Sequence, residues 1–190
     1  QMYDEYTELK NKEYSIDAII NENKFYKSEN ERLKKLIEEK NIYSKEYLFS
    51  KILLDQQSPY LKSVIINKGF NHGIKLGVAV KEKSYFVGKI INVNFLTSRV
   101  LLASDLNSKI PVIIEPTGIN AILSGQGHNN FAELEFLPKL KKIKEGNIVY
   151  TSGVDGIISE AIPIGKVIKK NENLLVEFFV DFNQLKYVKV

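Results

Sequence analysis

The sequence predicts a mainly β protein with one long N-terminal α-helix, on two observations. All 11 glycines lie at or after Gly69 and all 5 prolines at or after Pro59, so the first 58 residues contain neither strong backbone breaker. From Ser58 onward, runs of β-branched and aromatic residues alternate with Gly, Asn and Pro, which is typical of short strands joined by turns. We therefore assign residues 1–57 to the helix and the remainder to a β-rich region.

The composition narrows the possible functions. The 190 residues are 44% hydrophobic, enough for one or two cores, and the net charge of +4 is too small for a phosphate-binding stripe, so we expect no nucleic acid partner. There is no cysteine, and His72 and His128 lie far apart without clustered carboxylates, so we expect no metal or other cofactor. No stretch approaches the roughly 18 consecutive apolar residues of a membrane span, so none is predicted within the chain.

A heptad repeat predicts that the helix forms a coiled coil. Reading every seventh residue gives two interleaved series, which we take as positions a and d. An apolar stripe with this spacing needs a second helix to cover it. The predicted dimerisation seam consists of Leu9, Ile16, Ile19, Asn23, Tyr26, Asn30, Leu33 and Ile37.

Charged and polar positions around the seam favour a parallel homodimer. Glu22 at position g would face Lys27 of the other copy at position e, with opposite charge, and Glu29 would face Lys34 in the same way. Asparagines in the seam weaken a coil but fix its register by hydrogen bonding across the dimer axis. The alternative is an amphipathic helix that packs on its own β domain. A helix of about 45 Å is too long to lie wholly on that domain, so we expect the coil.

The β-rich region contains about eleven candidate strands, which points to a sandwich or to small barrels. In the segment 131–136, alternation places Ala132, Leu134 and Phe136 on one apolar face and two glutamates on the other. The candidate strands are 62–67, 78–80, 85–93, 98–103, 110–115, 120–124, 131–137, 147–151, 164–168, 174–181 and 186–190.

A weak internal repeat predicts two related subdomains. Residues 74–80 match residues 143–149 at Ile, Lys, Gly and Val, and the segment Val87-Gly88-Lys89-Ile90 is answered by Ile164-Gly165-Lys166-Val167. The alternative is that such turns coincide by chance, because Lys-x-Gly turns are common in β proteins.

Several segments between roughly residues 60 and 190 form an ordered set of motifs, namely 64–69, 72–80, 86–90, 98–105, 110–112, 150–157 and 162–167. In this order they resemble the bacterial rod shape-determining MreC family. The resemblance implies a coiled-coil helix followed by two small six-stranded antiparallel β-barrels, the first over 58–115 and the second over 116–190, with the option that a C-terminal strand returns to the first. The turn glycines of the matching motifs are Gly69, Gly77, Gly88, Gly153 and Gly165.

The same resemblance implies a scaffold and not an enzyme. Members of this family maintain rod shape as part of the cell-elongation machinery. They self-associate and bind peptidoglycan synthesis proteins, such as the class B penicillin-binding transpeptidase, together with other rod-shape proteins. The implied location is the periplasm, with an N-terminal anchor in the inner membrane that we expect to be absent from this chain.

A chymotrypsin-like serine protease is the alternative, because such enzymes also have two β-barrels. His72, Asp105 and Ser152 occur in the chain order of that triad. However, Ser152 lacks the flanking glycines of a protease nucleophile loop, and His72 lies in the turn-like context Asn71-His72-Gly73. We therefore expect no catalytic residue.

Aromatic side chains are the candidate anchors for a protein partner, although we expect most of them to lie in the core. Exposure cannot be assigned from the sequence, so the candidates stay unranked. They are Tyr85, Phe86, Phe95, Phe131, Phe178 and Phe179.

Overall fold

The computed structural model describes residues 16, 19–31, 47–58, 61–127, 130–137, 143–154, 156–170 and 173–190, with side chains described for these residues except 54–58 and 61. The chain divides into two units, Gln1–Glu46 and Tyr47–Val190. In the first unit, Ile16 and residues 19–31 are helical, as expected for a segment without Gly or Pro. None of the described helical residues belongs to a helix that is long and apolar enough to cross a bilayer.

The described residues of the second unit form twelve strands. All eleven candidate segments correspond to strands, β2 to β12, and one strand, β1, was not anticipated. The strands are β1 Phe49–Ser58, β2 Leu61–Ile66, β3 Ala79–Glu82, β4 Tyr85–Val93, β5 Ser98–Leu102, β6 Lys109–Glu115, β7 Ile119–Gly125, β8 Phe131–Glu135, β9 Ile148–Thr151, β10 Pro163–Lys170, β11 Asn173–Phe178 and β12 Tyr187–Lys189.

These strands form two closed barrels of six strands each, with the antiparallel pairing that was predicted. The first barrel has the strand order β1-β12-β3-β4-β5-β2, and the second has the order β10-β11-β8-β7-β6-β9. The predicted fold class is therefore confirmed. β12 lies between β1 and β3, so the C-terminal strand closes the first barrel.

The barrel boundaries differ from those assigned in the sequence. β1 lies inside the segment 1–57 that was given to the helix, and β6 lies in the second barrel although 58–115 was given to the first. β1 contains no Gly or Pro to end a helix, and its pairing with β12 and β2 overrides local propensity. The chain leaves the first barrel at the turn after β5, where the amide of Ser108 donates to the carbonyl of Asp105 at 2.9 Å.

The two barrels have equivalent strand orders. Starting from β3, the first reads β3-β4-β5-β2-β1-β12, and starting from β9, the second reads β9-β10-β11-β8-β7-β6. The sequence repeat lies at equivalent places in the two barrels. In the first barrel the amide of Gly77, before β3, donates to the carbonyl of Ile90 in β4 at 2.8 Å, and in the second the amide of Gly146, before β9, donates to the carbonyl of Val167 in β10 at 2.8 Å. The expectation of two related subdomains is confirmed.

Buried aliphatic side chains fill the core of both barrels, and Phe86 on β4 of the first barrel is the largest fully buried side chain of the described residues. Between the barrels, the rings of Tyr85 and Phe179 lie 5.0 Å apart between centroids. The expected apolar face of β8 is wrong at one position, because Phe136 is 82% exposed. β8 ends at Glu135, and the positive φ of 61° at Phe136 turns the chain out of the strand alternation.

Candidate partner-binding groove

Two loops of the first barrel form an apolar groove of about 640 Å³. One loop connects β2 to β3 and begins with the 3-10 turn Phe70–His72, and the other connects β4 to β5. Their backbones are joined, because the amide of Phe70 donates to the carbonyl of Asn94 at 2.8 Å and the amide of Asn71 donates to the carbonyl of Phe95 at 3.1 Å. The groove is therefore held by backbone bonds as well as by side-chain packing.

Gly69 makes this close approach of the two loops possible. A Cβ atom at Gly69 would lie 2.3 Å from the carbonyl oxygen of Asn94 and 2.6 Å from the amide nitrogen of Thr97. Both neighbours are backbone atoms, which cannot move aside without opening the loop. His72 completes the turn, because its Nδ1 accepts a hydrogen bond from the Gly69 amide at 3.3 Å.

The groove exposes side chains that a soluble domain usually buries. Phe70 is 71% exposed, Leu76 65% and Phe95 68%, while Ile74 beneath them is buried. Lys75 is an exposed cation among the lining residues. Contiguous apolar exposure of this kind on a rigid scaffold marks an interaction surface, and aromatic residues are the usual anchors there.

The second barrel contacts the first barrel close to this groove. The connection between β9 and β10 packs against the first barrel at Gly77, where a Cβ atom would lie 2.5 Å from Cγ2 of Ile157. Ile157 and Val154 are both exposed, although Ile158 beside them is buried. Ile157 of the second barrel therefore lies beside Gly77, which follows the groove residue Leu76 in the chain.

The three residues of the protease alternative occupy three separate local structures. His72 belongs to the 3-10 turn described above. Asp105 is buried at the junction between the barrels, where its Oδ2 accepts from the Lys62 amide and its Oδ1 accepts from the Asn107 amide at 2.7 Å. The Ser152 hydroxyl is buried without a hydrogen-bond partner among the described residues. A triad needs a serine bonded to an imidazole, so this arrangement offers no activated nucleophile.

The motif glycines lie at turns and at close strand contacts. Gly77 and Gly153 have φ values of 81° and 69°, in the left-handed region. Gly88 lies in β4 and Gly165 in β10. Among the described residues, no group of three or more His, Asp or Glu side chains could hold a metal ion.

The predicted seam is only partly described. Ile16, Ile19, Asn23, Tyr26 and Asn30 all have exposed side chains. The Tyr26 hydroxyl donates to Glu22 one turn earlier, at 3.1 Å. Leu9, Leu33 and Ile37 lie outside the described residues, so the seam stays a prediction.

The family model for the barrel core of the rod shape-determining protein MreC matches residues 52–190. The chain belongs to the MreC family. It is 35% identical over 129 residues to the cell shape-determining protein MreC of Cereibacter sphaeroides, covering 67% of this chain and 43% of that protein. It is 30% identical over 142 residues to MreC of Escherichia coli K12, covering 75% and 39%. The chain thus spans about two fifths of the length of these curated relatives.

Solved MreC structures share this fold. MreC of Listeria monocytogenes matches with a TM-score of 0.74 at 26% identity, covering 96% of this chain and 92% of that one. MreC of Pseudomonas aeruginosa matches with a TM-score of 0.70 at 26% identity, covering 76% and 98%. A Helicobacter pylori MreC solved in complex with the penicillin-binding protein PBP2 matches with a TM-score of 0.56 at 14% identity, covering 75% and 96%, which shows the fold alone.

The sequence identified few of the groove residues of this MreC family member. Among the aromatic candidates, Phe95 is exposed in the groove, whereas Phe86 and Phe178 are buried. Tyr85, Phe131 and Phe179 are half-buried. Phe70 and Leu76 were missed, since an apolar residue beside a strand looks like a core residue when only the sequence is known.

Proposed function

We propose that this chain is the barrel-bearing part of a periplasmic scaffold of the bacterial cell-elongation machinery. It maintains rod shape by binding peptidoglycan synthesis proteins, above all a class B penicillin-binding transpeptidase. The observation that carries this proposal is the groove of exposed Phe70, Leu76 and Phe95 on a barrel whose loops are joined by backbone hydrogen bonds. Membership of the MreC family and the Helicobacter pylori MreC complex with PBP2 support the choice of partner.

The chain acts as a binding protein without catalysis of its own. Among the described residues, the Ser152 hydroxyl has no hydrogen-bonded imidazole, and the carboxylate of Asp105 accepts from the backbone amides of Lys62 and Asn107. A rigid barrel with an apolar groove and no activated nucleophile suits the presentation of a surface to a partner. The full-length protein is anchored to the inner membrane, with this part in the periplasm.

Partner binding is tested with the periplasmic part of the class B transpeptidase from the same organism. Replacing Leu76 and Phe95 by Ser removes two apolar anchors, and we expect an affinity loss of about 30-fold or more, since one interface anchor alone contributes about 2 kcal/mol. Phe136→Ser is the matched control, because Phe136 is equally exposed but lies on the second barrel outside the groove. Calorimetry measures the affinity of the unmodified protein, the double variant and the control. If all three bound the transpeptidase equally well, the groove would not be its binding site.

We also propose that the helix joins two copies of the chain. Ile16, Ile19 and Tyr26 are exposed apolar side chains at heptad positions, and burial against a second helix would remove them from water. Dimerisation would present two copies of the groove, so that one scaffold could hold two partner molecules.

A further inference from the structure

A second surface, on the outside of the first barrel, combines aromatic rings with lysines. β1, β12 and β3 lie side by side, with Phe49 opposite Lys189, Lys51 opposite Tyr187, and Lys189 opposite Lys81. Tyr47 precedes β1 and is exposed, as are Phe49 and Tyr187. We call this surface the basic-aromatic face; its members are Tyr47, Phe49, Lys51, Lys81, Tyr187 and Lys189.

Two of its ammonium groups converge on one ring. Lys81 Nζ lies 4.5 Å from the ring centroid of Tyr47 and donates to its hydroxyl oxygen at 3.2 Å. Lys189 Nζ lies 5.8 Å from the same centroid and 5.2 Å from that of Phe49. Lysines from two neighbouring strands therefore direct their ammonium groups to the same ring.

This convergence is unfavourable without a counter-charge. Like charges directly opposite each other on neighbouring strands destabilise a sheet, and Lys81 and Lys189 are such a pair. Contacts with the aromatic faces offset only part of the repulsion. Across the part of the chain that the structure describes, no acidic residue forms a salt bridge with Lys51, Lys81 or Lys189. An anionic group from outside the barrel would supply the missing charge.

We propose that the basic-aromatic face binds a carboxylate-rich segment of a partner protein. A carboxylate placed between Lys81 and Lys189 pairs with both ammonium groups and removes their mutual repulsion. Tyr187, whose ring carries no ammonium group among the described lysines, offers an apolar contact beside it. The site differs from the groove in location and chemistry, since the groove is mostly apolar.

The geometry disfavours a lipid or a nucleic acid as the occupant. Lysines at a membrane surface extend away from the apolar rings towards the headgroups, whereas the ammonium groups of Lys81 and Lys189 lie against the rings of Tyr47 and Phe49. Single-stranded nucleic acids bind by stacking successive bases on free aromatic rings, and here Tyr187 alone among the three exposed rings has no ammonium group of a described lysine over it.

The test uses the full chain and poly-L-glutamate as the probe, titrated by calorimetry at low salt. We expect the double variant Lys81→Gln/Lys189→Gln to bind the polymer about tenfold more weakly, from two lost ion pairs. The matched control is Lys166→Gln/Lys169→Gln, which removes the same charge from the second barrel, where Lys166 already pairs with Glu177 at 2.9 Å. The control should bind like the unmodified protein.

A further variant tests the repulsion itself. Lys81→Glu places an opposite charge across from Lys189, so the melting temperature should rise at low salt. The rise should be smaller at high salt, because salt screens the attraction. Binding of polyglutamate should be lost. Three results would overturn the proposal: no binding of polyglutamate, equal weakening by the control variant, or lysine-dependent binding of phosphatidylglycerol vesicles in place of the polymer.

Discussion

Gly88 and Gly165 occupy equivalent positions in the two barrels and face the same obstruction. A Cβ atom on Gly88 would lie 2.0 Å from the carbonyl oxygen of Leu101, and one on Gly165 would lie 2.2 Å from the carbonyl oxygen of Glu177. Each glycine is opposite a buried valine, Val80 for Gly88 and Val149 for Gly165. The Gly-Lys element of the sequence repeat therefore marks, in each barrel, a place where a neighbouring backbone leaves no room for a Cβ atom.

Adding a methyl group at either position should destabilise the barrels. We expect Gly88→Ala and Gly165→Ala to lower the free energy of unfolding by about 2–3 kcal/mol, because the obstructing atoms are backbone. Gly73→Ala is the control, since Gly73 has open space but a φ of 78°, and should cost only about 1 kcal/mol. Urea unfolding measures the free energy of unfolding of all three variants, and losses no larger at Gly88 and Gly165 than at Gly73 would contradict the obstruction argument.

Replacing Lys83 by glycine should make the folded protein more stable. It is the first residue of the two-residue connection between Glu82 and Tyr85, and its φ of 53° is strained for a residue with a side chain. We expect Lys83→Gly to raise the free energy of unfolding by about 0.5–1 kcal/mol, the relief of strain exceeding the entropic cost of glycine. Ser84→Gly, at the neighbouring position without a positive φ, should give no gain, and a gain there of the same size would refute the argument.

Glu135 should contribute to acid sensitivity. Hydrogen bonds from Lys109 and from Ser124 lower the pKa of its carboxyl group in the folded protein. Because the pKa of this carboxyl group is lower in the folded protein than in the unfolded chain, its interactions stabilise the fold at pH values above the pKa of the unfolded chain. This stabilisation is lost as the pH falls through the pKa of the folded protein. Lys109→Gln should move the Glu135 pKa back towards its ordinary value, which NMR titration measures. The same variant should make the free energy of unfolding less dependent on pH in the acid range. An unchanged Glu135 pKa would contradict this prediction.

Ser152 and His72 should tolerate alanine. The Ser152 hydroxyl is buried without a partner in the described part of the structure, so its removal should leave the free energy of unfolding unchanged within about 0.5 kcal/mol or raise it slightly. His72→Ala removes one long hydrogen bond in a surface turn. Both variants should support rod shape in a complementation assay at normal abundance, and loss of rods would reopen a catalytic role.

The heptad seam should control self-association. Ile19→Glu places a charge in the seam, so the chain should sediment as a monomer. Phe25→Glu is the matched control, since Phe25 is equally exposed but lies off the seam. A fragment that starts at Tyr47 retains all of β1 and should also be monomeric. If all of these proteins showed the same oligomeric state, the coiled coil would be excluded.

Eleven strands were predictable because local turn chemistry and alternation agreed with the final pairing. β1 was not, since Phe49–Ser58 contains no breaker and forms a strand through its neighbours β12 and β2. This error also concealed the basic-aromatic face, which Tyr47 and Phe49 help to form. The groove was hidden for another reason: exposure of Phe70 and Leu76 depends on two loops that are distant in sequence.

The position of β12 sets an order of events during folding. The strands of the second barrel are contiguous in sequence from Lys109 to Phe178, so that barrel can close as soon as this segment has emerged. The first barrel must wait, with β1 and β3 as unpaired edges, until residues 187–189 arrive. Open strand edges invite wrong pairing with other chains. A nascent chain of this protein is therefore most vulnerable to aggregation at its first barrel, whose opening strands are made before the strand that closes it.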